Sequence, residues 1–327
     1  MMSLQDLDKK QLVSVFCNDG EKISFKNDNL VVCDKFGKLK LQITCYRILI
    51  LFVVGGFTLT SGIIQKSHKF AFPIFLLTNS LKVYEKFGYK LQGNVILRRK
   101  QYEHQDDIEL AKFFVKNKIK NQLYVLKSRR NKSEYIDITI SKIQNYLQKL
   151  DVFKGNLYEL LSIEANVAKI YFKAQFDNFQ WQGRKPRVKL DYVNSCLDIG
   201  YSVLFNFIES MLEIFGFDVF CGVLHKEFYM RKSLVCDFVE PFRSIIDIQV
   251  RKSINLRQFV EEDFTKVNMS YQLKWTQNKK YTQIFLAAIL KYKKEIFLFT
   301  QSYYRSFMKG KDPALYNIFS LDNKSGV

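Results

Sequence analysis

A histidine and two acidic residues lie close together within residues 222–243, GVLHKEFYMRKSLVCDFVEPFR. His225 is one of three histidines in the chain, and Asp237 and Glu240 follow it. Apolar residues around the two acids predict a helix, and their spacing of three places both carboxylates on one side of it. Pro241 has no backbone N–H, so we expect a bend just after Glu240. Carboxylates with one imidazole are a ligand set for Mg²⁺ or Mn²⁺.

Glu164 provides a third acid, in the stretch LLSIEANVAKIYF. It lies between Ile163 and Val167 in a predicted helix and should therefore be partly buried. A second interpretation stays open, because a histidine near acids is often a hydrogen-bonded group rather than a ligand. Two carboxylates one turn apart repel each other, so Arg243, a metal ion or both should compensate them.

The composition limits the classes of protein to which the chain can belong. It has 327 residues, is 47% hydrophobic and carries a net charge of +19, which excludes a disordered chain. A positive charge of this size favours a polyanionic partner, either nucleic acid or an anionic membrane surface. A lysine-rich composition without functional meaning is the alternative.

Other features favour a cytoplasmic protein without a membrane span. The six cysteines show no CxxC pair, which is typical of small apolar residues in a reducing compartment. The N-terminus MMSLQDLDKK lacks the apolar core of a signal peptide. The most apolar run, 48–57, is too short to cross a bilayer and predicts a buried strand.

Hydrophobic patterns divide the chain into a small β region and a larger helical region. Short strand patterns separated by turn formers fill residues 1–98, which we interpret as a β-sandwich-like domain. A linker is predicted at 99–105, and an all-α catalytic domain at 106–327. The fold class is thus α+β. The later predicted helices lie at about 136–151, 155–176, 191–215, 232–249, 255–267 and 279–309.

A basic loop, QWQGRKPRVKLD at 180–191, interrupts the helices. We expect it to contact DNA phosphates, although a merely solvated loop is the alternative. Lys226 and Arg243 flank the acidic residues and have two candidate roles, to contact DNA or to balance the acids. The candidate cations of the loop are Arg184, Lys185, Arg187 and Lys189.

Three stretches in order resemble the family of CRISPR-associated integrases, which insert spacers into CRISPR arrays. SIEANVAKIYF is similar to the family's G-x-E-x-x-A-R/K-x-Y-F/W, and SLVCDFVEPFRSIID to S-L-x-x-D-L-M-E-x-F-R-P-x-x-D. Between them, GRKPRVKLDYVNSCLDIGYSVLF resembles R-x-P-D-x-x-N-x-x-L-x-x-x-Y-x-x-L and leads to GVLH. VVGGFTLTSGII resembles the family's strand-and-turn signature, and GNVILRRKQYEHQDDIELAKFFVKNKIKNQ resembles its R-x-x-Q-Y and A-K-x-x-V-x-x-K-I-x-N-Q segments. The resemblance thus covers about residues 45–265. Ser162 and Ser244 depart from the family's glycine and proline, but neither position is a ligand.

The resemblance implies a site and a reaction. It makes Glu164, His225 and Glu240 the ligands of Mg²⁺ or Mn²⁺, with Asp237 as a second, supporting acid. Asn194 and Tyr201 match the family block and are expected near the site, Asn194 as a DNA-binding residue. The implied enzyme is a metal-dependent DNA endonuclease and integrase, which joins the 3′-hydroxyl ends of spacer DNA to the repeat by transesterification and also hydrolyses phosphodiesters.

The resemblance also implies partners. They are double-stranded DNA, a second copy bound through the β domain, and a small ferredoxin-like protein with which the dimers form a heterohexamer in a prokaryotic cytoplasm. Two alternatives stay open. One is a stand-alone or transposon-associated nuclease or integrase, and the other is a catalytically silent DNA-binding scaffold.

Overall fold

The computed structural model describes residues 3–17, 20–58, 61–78, 83–88, 94–179, 181, 183–186 and 188–322. The chain divides into a first unit, Met1–Asn94 with Glu213–Gly216, and a second unit, Val95–Leu212 with Phe217–Val327. The first unit is rich in β-strands and the second is mostly helical, which confirms the predicted α+β class. Within the described residues, no helix is long and apolar enough to cross a membrane.

The first unit contains two sheets. One has four strands in the order β1-β5-β6-β7, and the other has three strands in the order β2-β3-β4. Their elements are α1 (Leu4–Lys9), β1 (Gln11–Cys17), β2 (Lys22–Lys26), β3 (Asn29–Cys33), β4 (Leu39–Thr44), β5 (Ile48–Gly55), α2 (Ser61–Phe70), β6 (Pro73–Leu77) and β7 (Val83–Gly88).

The apolar run at 48–57 forms the central strand β5. It pairs in parallel with β1 on one side and with β6 on the other, and α2 lies between β5 and β6 in the chain. Parallel strands are usually covered on both faces, so nearly continuous apolar sequence is expected there. Residues 48–54 are all buried, as the sequence predicted.

The second unit is built from nine helices and one β-hairpin within the described residues. These elements are α3 (Val95–Glu103), α4 (Ile108–Lys127), α5 (Glu134–Asp151), α6 (Leu157–Gln175), α7 (Tyr192–Phe215), α8 (Ser233–Val239), α9 (Arg243–Asn255), β8 (Phe264–Val267), β9 (Ser270–Leu273), α10 (Trp275–Leu290) and α11 (Lys293–Met308). The last residues of α7 belong to the first unit.

Three expectations about this region need correction. The predicted helix at 255–267 is wrong, because α9 ends at Asn255 and residues 264–273 form a hairpin; the region is therefore not all-α. The single helix expected at 279–309 is two helices, α10 and α11. Residues 99–103, inside the predicted linker, lie in α3.

Helix α4 organises the second unit. It packs against α5, α6, α8 and α9, and most of its side chains are buried. Phe114 on α4 meets Phe238 on α8 with ring centroids 5.1 Å apart, and Phe238 meets Tyr303 on α11 at 4.7 Å. Aromatic packing of this kind fixes both the depth and the rotation of a helix. These contacts hold α8 and the turn that follows it against α4.

Candidate metal centre

Two of the predicted ligands meet at one lysine. Glu164 projects from α6, and Glu240 begins a short 3-10 turn directly after α8. Lys118 on α4 forms an ion pair with Glu164 Oε1, and its Nζ lies 2.6 Å from Glu240 Oε2. Glu164 and Glu240 are thus brought together although they are far apart in sequence.

The charge of Glu240 is stabilised by its neighbours. Its side chain is only 2% exposed. Burial raises the pKa of Glu240, but the positive charges of Arg243 and Lys118 outweigh this effect and lower the pKa from 4.5 to about 2. Arg243 Nε lies 2.9 Å from Glu240 Oε1, so each carboxylate oxygen faces a different cation. Glu240 is consequently ionised at neutral pH.

Lys118 is charged for the complementary reason. Burial lowers the pKa of Lys118, but the carboxylates of Glu164 and Glu240 outweigh that effect and raise the pKa above 10.5. The side chain is 9% exposed. A buried ammonium is stable only where its charge is paired, and here two carboxylates share it.

Asp237 holds the histidine in place rather than facing the lysine. Its carboxylate accepts backbone N–H bonds from Val223 (2.7 Å), Leu224 (3.1 Å) and His225 (2.9 Å). His225 Nδ1 lies 2.8 Å from Asp237 Oδ1. An ionised carboxylate accepts hydrogen bonds only, so we infer that Nδ1 carries the ring proton. His225 Nε2 then keeps a lone pair, which is the state that a metal ligand requires.

Pro241 produces the expected bend. Residues Glu240–Phe242 form a 3-10 turn between α8 and α9, with Pro241 at its second position. A proline there removes one N–H donor and is tolerated at the start of a helical turn. The turn places Glu240 and Arg243 on the side that faces α4.

Sequence reasoning expected Tyr201 near the site but did not find the hydrogen-bonded group that it forms with Asp247 and Tyr171. Tyr171 OH donates to Asp247 Oδ2 at 2.9 Å, and Tyr201 OH also donates to Asp247. The Arg243 guanidinium lies 4.5 Å from the centre of the Tyr201 ring. Asp247 therefore supports Tyr201, which supports the arginine that pairs with Glu240. Asp247 is the final residue of the motif SLVCDFVEPFRSIID, and this position in the motif is the sequence feature that could have indicated its role.

The basic loop is held by Asn194, which is fully buried. Its Oδ1 accepts from Arg184 Nη1 at 3.0 Å and from the Lys185 backbone at 2.9 Å, and its Nδ2 donates to the Gly183 carbonyl. Arg184 also pairs with Asp198. The predicted DNA contact of Asn194 does not fit this arrangement, because its amide is used inside the protein.

The remaining predicted DNA contacts differ in their exposure. Lys185 is exposed, Lys189 is half-buried with a left-handed backbone, and Lys226 is 52% exposed and pairs with Asp106. Arg243 lies within the acidic group. Arg187 is outside the described residues.

The donor types suit a hard divalent cation. Among the described residues, no three His, Cys, Asp or Glu side chains already form a metal-binding group. The buried Glu240 Oε2 nevertheless accepts no well-formed hydrogen bond, although it lies beside Lys118 Nζ. Two carboxylates and an imidazole with a lone pair on Nε2 are ligands that Mg²⁺ and Mn²⁺ accept.

Comparison with known proteins decides the family. A sequence model of the family described as "CRISPR associated protein Cas1" matches residues 15–286, more than half of the chain. This chain belongs to the Cas1 family. The family resemblance inferred from the three sequence motifs is confirmed.

Curated Cas1 relatives share modest identity over most of their length. The chain is 28% identical to the CRISPR-associated endonuclease Cas1 1 of Archaeoglobus fulgidus over 281 residues, which cover 78% of this chain and 81% of the relative. It is 28% identical to the CRISPR-associated endonuclease Cas1 of Mycobacterium tuberculosis over 254 residues, 74% of each chain.

Solved structures share the fold. A casposase bound to its integration product superposes with a TM-score of 0.76 at 21% identity, over 92% of each chain. A Cas1 protein from Thermotoga maritima gives 0.76 at 19% identity, over 94% of this chain and 99% of that one. A chain of a Cas6-RT-Cas1–Cas2 complex gives 0.78 at 17% identity, over 96% of this chain and 36% of that one.

Proposed function

We propose that this Cas1 protein integrates spacer DNA at a centre formed by Glu164, His225 and Glu240, with Asp237 as the positioning acid. Family membership makes the chain a CRISPR-associated endonuclease and integrase. The observation that supports the residue assignment is the convergence of Glu164 and Glu240 on Lys118, with His225 held by Asp237, three residues before Glu240.

The proposed reaction is a transesterification. A 3′-hydroxyl of the spacer fragment attacks a phosphate of the repeat, so that one P–O bond forms while the bond to the leaving 3′-oxygen breaks. A bound Mg²⁺ or Mn²⁺ supplies Lewis-acid stabilisation of the charge that develops on the phosphoryl oxygens. The same centre, with water as nucleophile, hydrolyses a phosphodiester.

The side chains of the protein orient and balance the charges. Glu164, His225 and Glu240 would hold the cation, and Asp237 keeps the imidazole in the tautomer that leaves Nε2 unprotonated. Arg243 and Lys118 offset the acids, so an approaching phosphate meets less repulsion. Lys185 and Lys226 are exposed cations and would contact the DNA backbone.

The structural neighbours support part of the proposed set of partners. One neighbour is a complex that contains Cas1 and Cas2, and another is bound to an integration product. We propose that this chain acts on double-stranded DNA as a homodimer and assembles with a small ferredoxin-like partner into a heterohexamer. One active centre per chain requires more than one copy to join both ends of a fragment.

The assignment is tested by Glu164→Gln, with Glu134→Gln at the exposed start of α5 as the matched control. A short duplex is incubated with a supercoiled repeat plasmid and Mn²⁺, with and without the small partner. We expect the Glu164 variant to lose at least about a hundredfold in strand joining, since the neutral amide lacks the negative charge with which the carboxylate would hold the cation. Unchanged joining by this variant would show that the centre lies elsewhere.

A further inference from the structure

Lys118 is a buried cation inside the proposed metal centre, and the family resemblance gives it no role there. It projects from the middle of α4, whereas its two partners come from α6 and from the turn after α8. The ammonium is therefore held by carboxylates from two other elements. A lysine on a solvated helix face would instead extend into water.

The partners of Lys118 are the two carboxylates that a divalent ion would need. Lys118 forms an ion pair with Glu164 Oε1 and lies 2.6 Å from Glu240 Oε2. Within the described residues, Lys118 is the one cation that pairs with Glu164. Glu240 keeps a second cationic neighbour in Arg243, 2.9 Å away.

Two like-charged carboxylates in a poorly solvated place repel each other strongly. In the arrangement seen here the ammonium supplies the positive charge that keeps them together. A divalent ion bound to the same oxygens would supply more charge, and it would be repelled by an ammonium held at that position.

We propose that Lys118 is an internal counter-ion that keeps Glu164 and Glu240 preorganised when no divalent ion is bound, and that a divalent ion must displace its ammonium in order to bind. This inference rests on the proposed function, because it takes Glu164 and Glu240 as ligands. Lys118 is thus a positioning residue that lowers the affinity for the ion while it stabilises the ion-free protein.

The first test measures binding of Mn²⁺ alone, without DNA. Free Mn²⁺ is quantified from its electron paramagnetic resonance signal during titration of the wild type, Lys118→Met and Glu164→Gln. The matched control is Lys116→Met on the same helix, because Lys116 pairs with the exposed Asp151 rather than with the centre. Thermal midpoints of the four proteins are measured with and without Mn²⁺.

Without its competitor, the centre of Lys118→Met should bind Mn²⁺ at least about tenfold more tightly than the wild type, since a buried ion pair no longer has to be broken. Without Mn²⁺, its thermal midpoint should be lower than that of the wild type. Mn²⁺ should raise the thermal midpoint of Lys118→Met by more than it raises that of the wild type. Lys116→Met should leave the affinity for Mn²⁺ unchanged. Weaker or equal Mn²⁺ binding by Lys118→Met would overturn the proposal.

A second measurement uses the wild type and does not depend on whether Lys118→Met folds. Acylation of lysine amines is followed by mass spectrometry with and without Mn²⁺, and Lys116 serves as the internal reference. Displacement from the two carboxylates should make Lys118 several-fold more reactive when Mn²⁺ is present. An unchanged ratio of Lys118 to Lys116 acylation would contradict displacement.

The two proposals fail in different ways. If Glu164→Gln binds Mn²⁺ as the wild type does, the assigned ligands are wrong and the proposed centre fails. If Glu164→Gln loses Mn²⁺ binding while Lys118→Met binds as the wild type does, the centre stands and only the role of Lys118 is refuted.

Discussion

The charge on Glu240 depends on a series of contacts that ends at a buried acid. Glu240 pairs with Arg243, Arg243 stacks on Tyr201, and Tyr201 donates to Asp247. Burial raises the pKa of Asp247 to about 6, although hydrogen bonds from Tyr201 and Tyr171 and the charge of Arg243 act in the opposite direction. Burial of the ionised Asp247 thus lowers the stability of the protein at neutral pH, while its contact with Tyr201 fixes the position of Arg243 beside the centre.

The pH dependence of unfolding should reveal this group. The pKa of Asp247 is higher in the folded protein, about 6, than its ordinary value of 3.8. The folded protein therefore retains a proton that the unfolded chain releases, and the free energy of unfolding falls as pH rises through this range. Asp247→Asn removes this titrating group. The free energy of unfolding of the variant minus that of the wild type should therefore be about 2 kcal/mol higher at pH 7.5 than at pH 4.

Urea unfolding of both proteins at the two pH values measures this difference. Asp8→Asn is the control, since Asp8 is exposed on α1. A difference between wild type and Asp247→Asn that does not change with pH would mean that Asp247 is not the titrating group. Strand joining by Asp247→Asn reports separately whether the position of Arg243 has been kept.

At the scale of elements, local pattern and backbone chemistry predicted much of the fold. The run at 48–57 became β5, and Pro241 produced the expected turn after α8. The hairpin was missed because its turn residues, Asn268 and Met269, both have positive φ, 46° and 61°. Asn-Gly is the usual sequence of such a turn. Because methionine replaces the glycine here, the sequence gives no sign of the hairpin.

The metal centre was only partly predictable from the sequence, because one of its residues is placed there by helix packing. Motif resemblance named Glu164, His225, Asp237 and Glu240, each of which has a recognisable neighbourhood in sequence. Lys118 lies in the stretch that resembles the family's A-K-x-x-V-x-x-K-I-x-N-Q, but the resemblance gave it no role, and several lysines on one helix are typical of a solvated face. Its pairing with an acid 46 residues away depends on how α4 and α6 pack, which hydrophobic spacing alone does not specify.

A close approach of three helices fixes where α7 lies. A Cβ atom at Gly200 on α7 would overlap Ile246 Cγ2 on α9 and lie 2.7 Å from Phe285 Cε1 on α10. Both neighbours are buried, so they have little room to move. Gly200→Ala should therefore lower the free energy of unfolding by about 1–3 kcal/mol, even though alanine favours helix more than glycine does.

Denaturant unfolding checks this packing argument with two further variants. Ser202→Ala, on the same helix, should change the free energy of unfolding by less than about 0.5 kcal/mol. Adding Ile246→Ala to Gly200→Ala removes the overlapping methyl group. The double variant should therefore lose less free energy of unfolding than the two single variants lose in total. Fully additive effects would show that Gly200 does not pack against Ile246.

At the scale of the whole molecule, the excess of cations makes DNA binding depend on salt. The net charge is 51 − 32 = +19. Each lysine or arginine that neutralises a phosphate releases condensed counter-ions, so the affinity for DNA falls as the salt concentration rises. The structure divides the cations near the centre into exposed ones, such as Lys185 and Lys226, and structural ones, such as Arg184, which is tied to Asn194 and Asp198.

These two classes should respond differently to removal. Lys185→Ala and Lys226→Ala should each weaken binding to duplex DNA by several-fold and should each lower the slope of log affinity against log salt by about 0.9. Arg184→Ala should act mainly on stability, since it removes the ion pair with Asp198 and the hydrogen bond to the buried Asn194. Fluorescence anisotropy over a range of salt concentrations gives the slopes, and thermal unfolding gives the stability. The division would be wrong if Arg184→Ala lowered the slope as much as the lysine variants while its thermal midpoint stayed at the wild-type value.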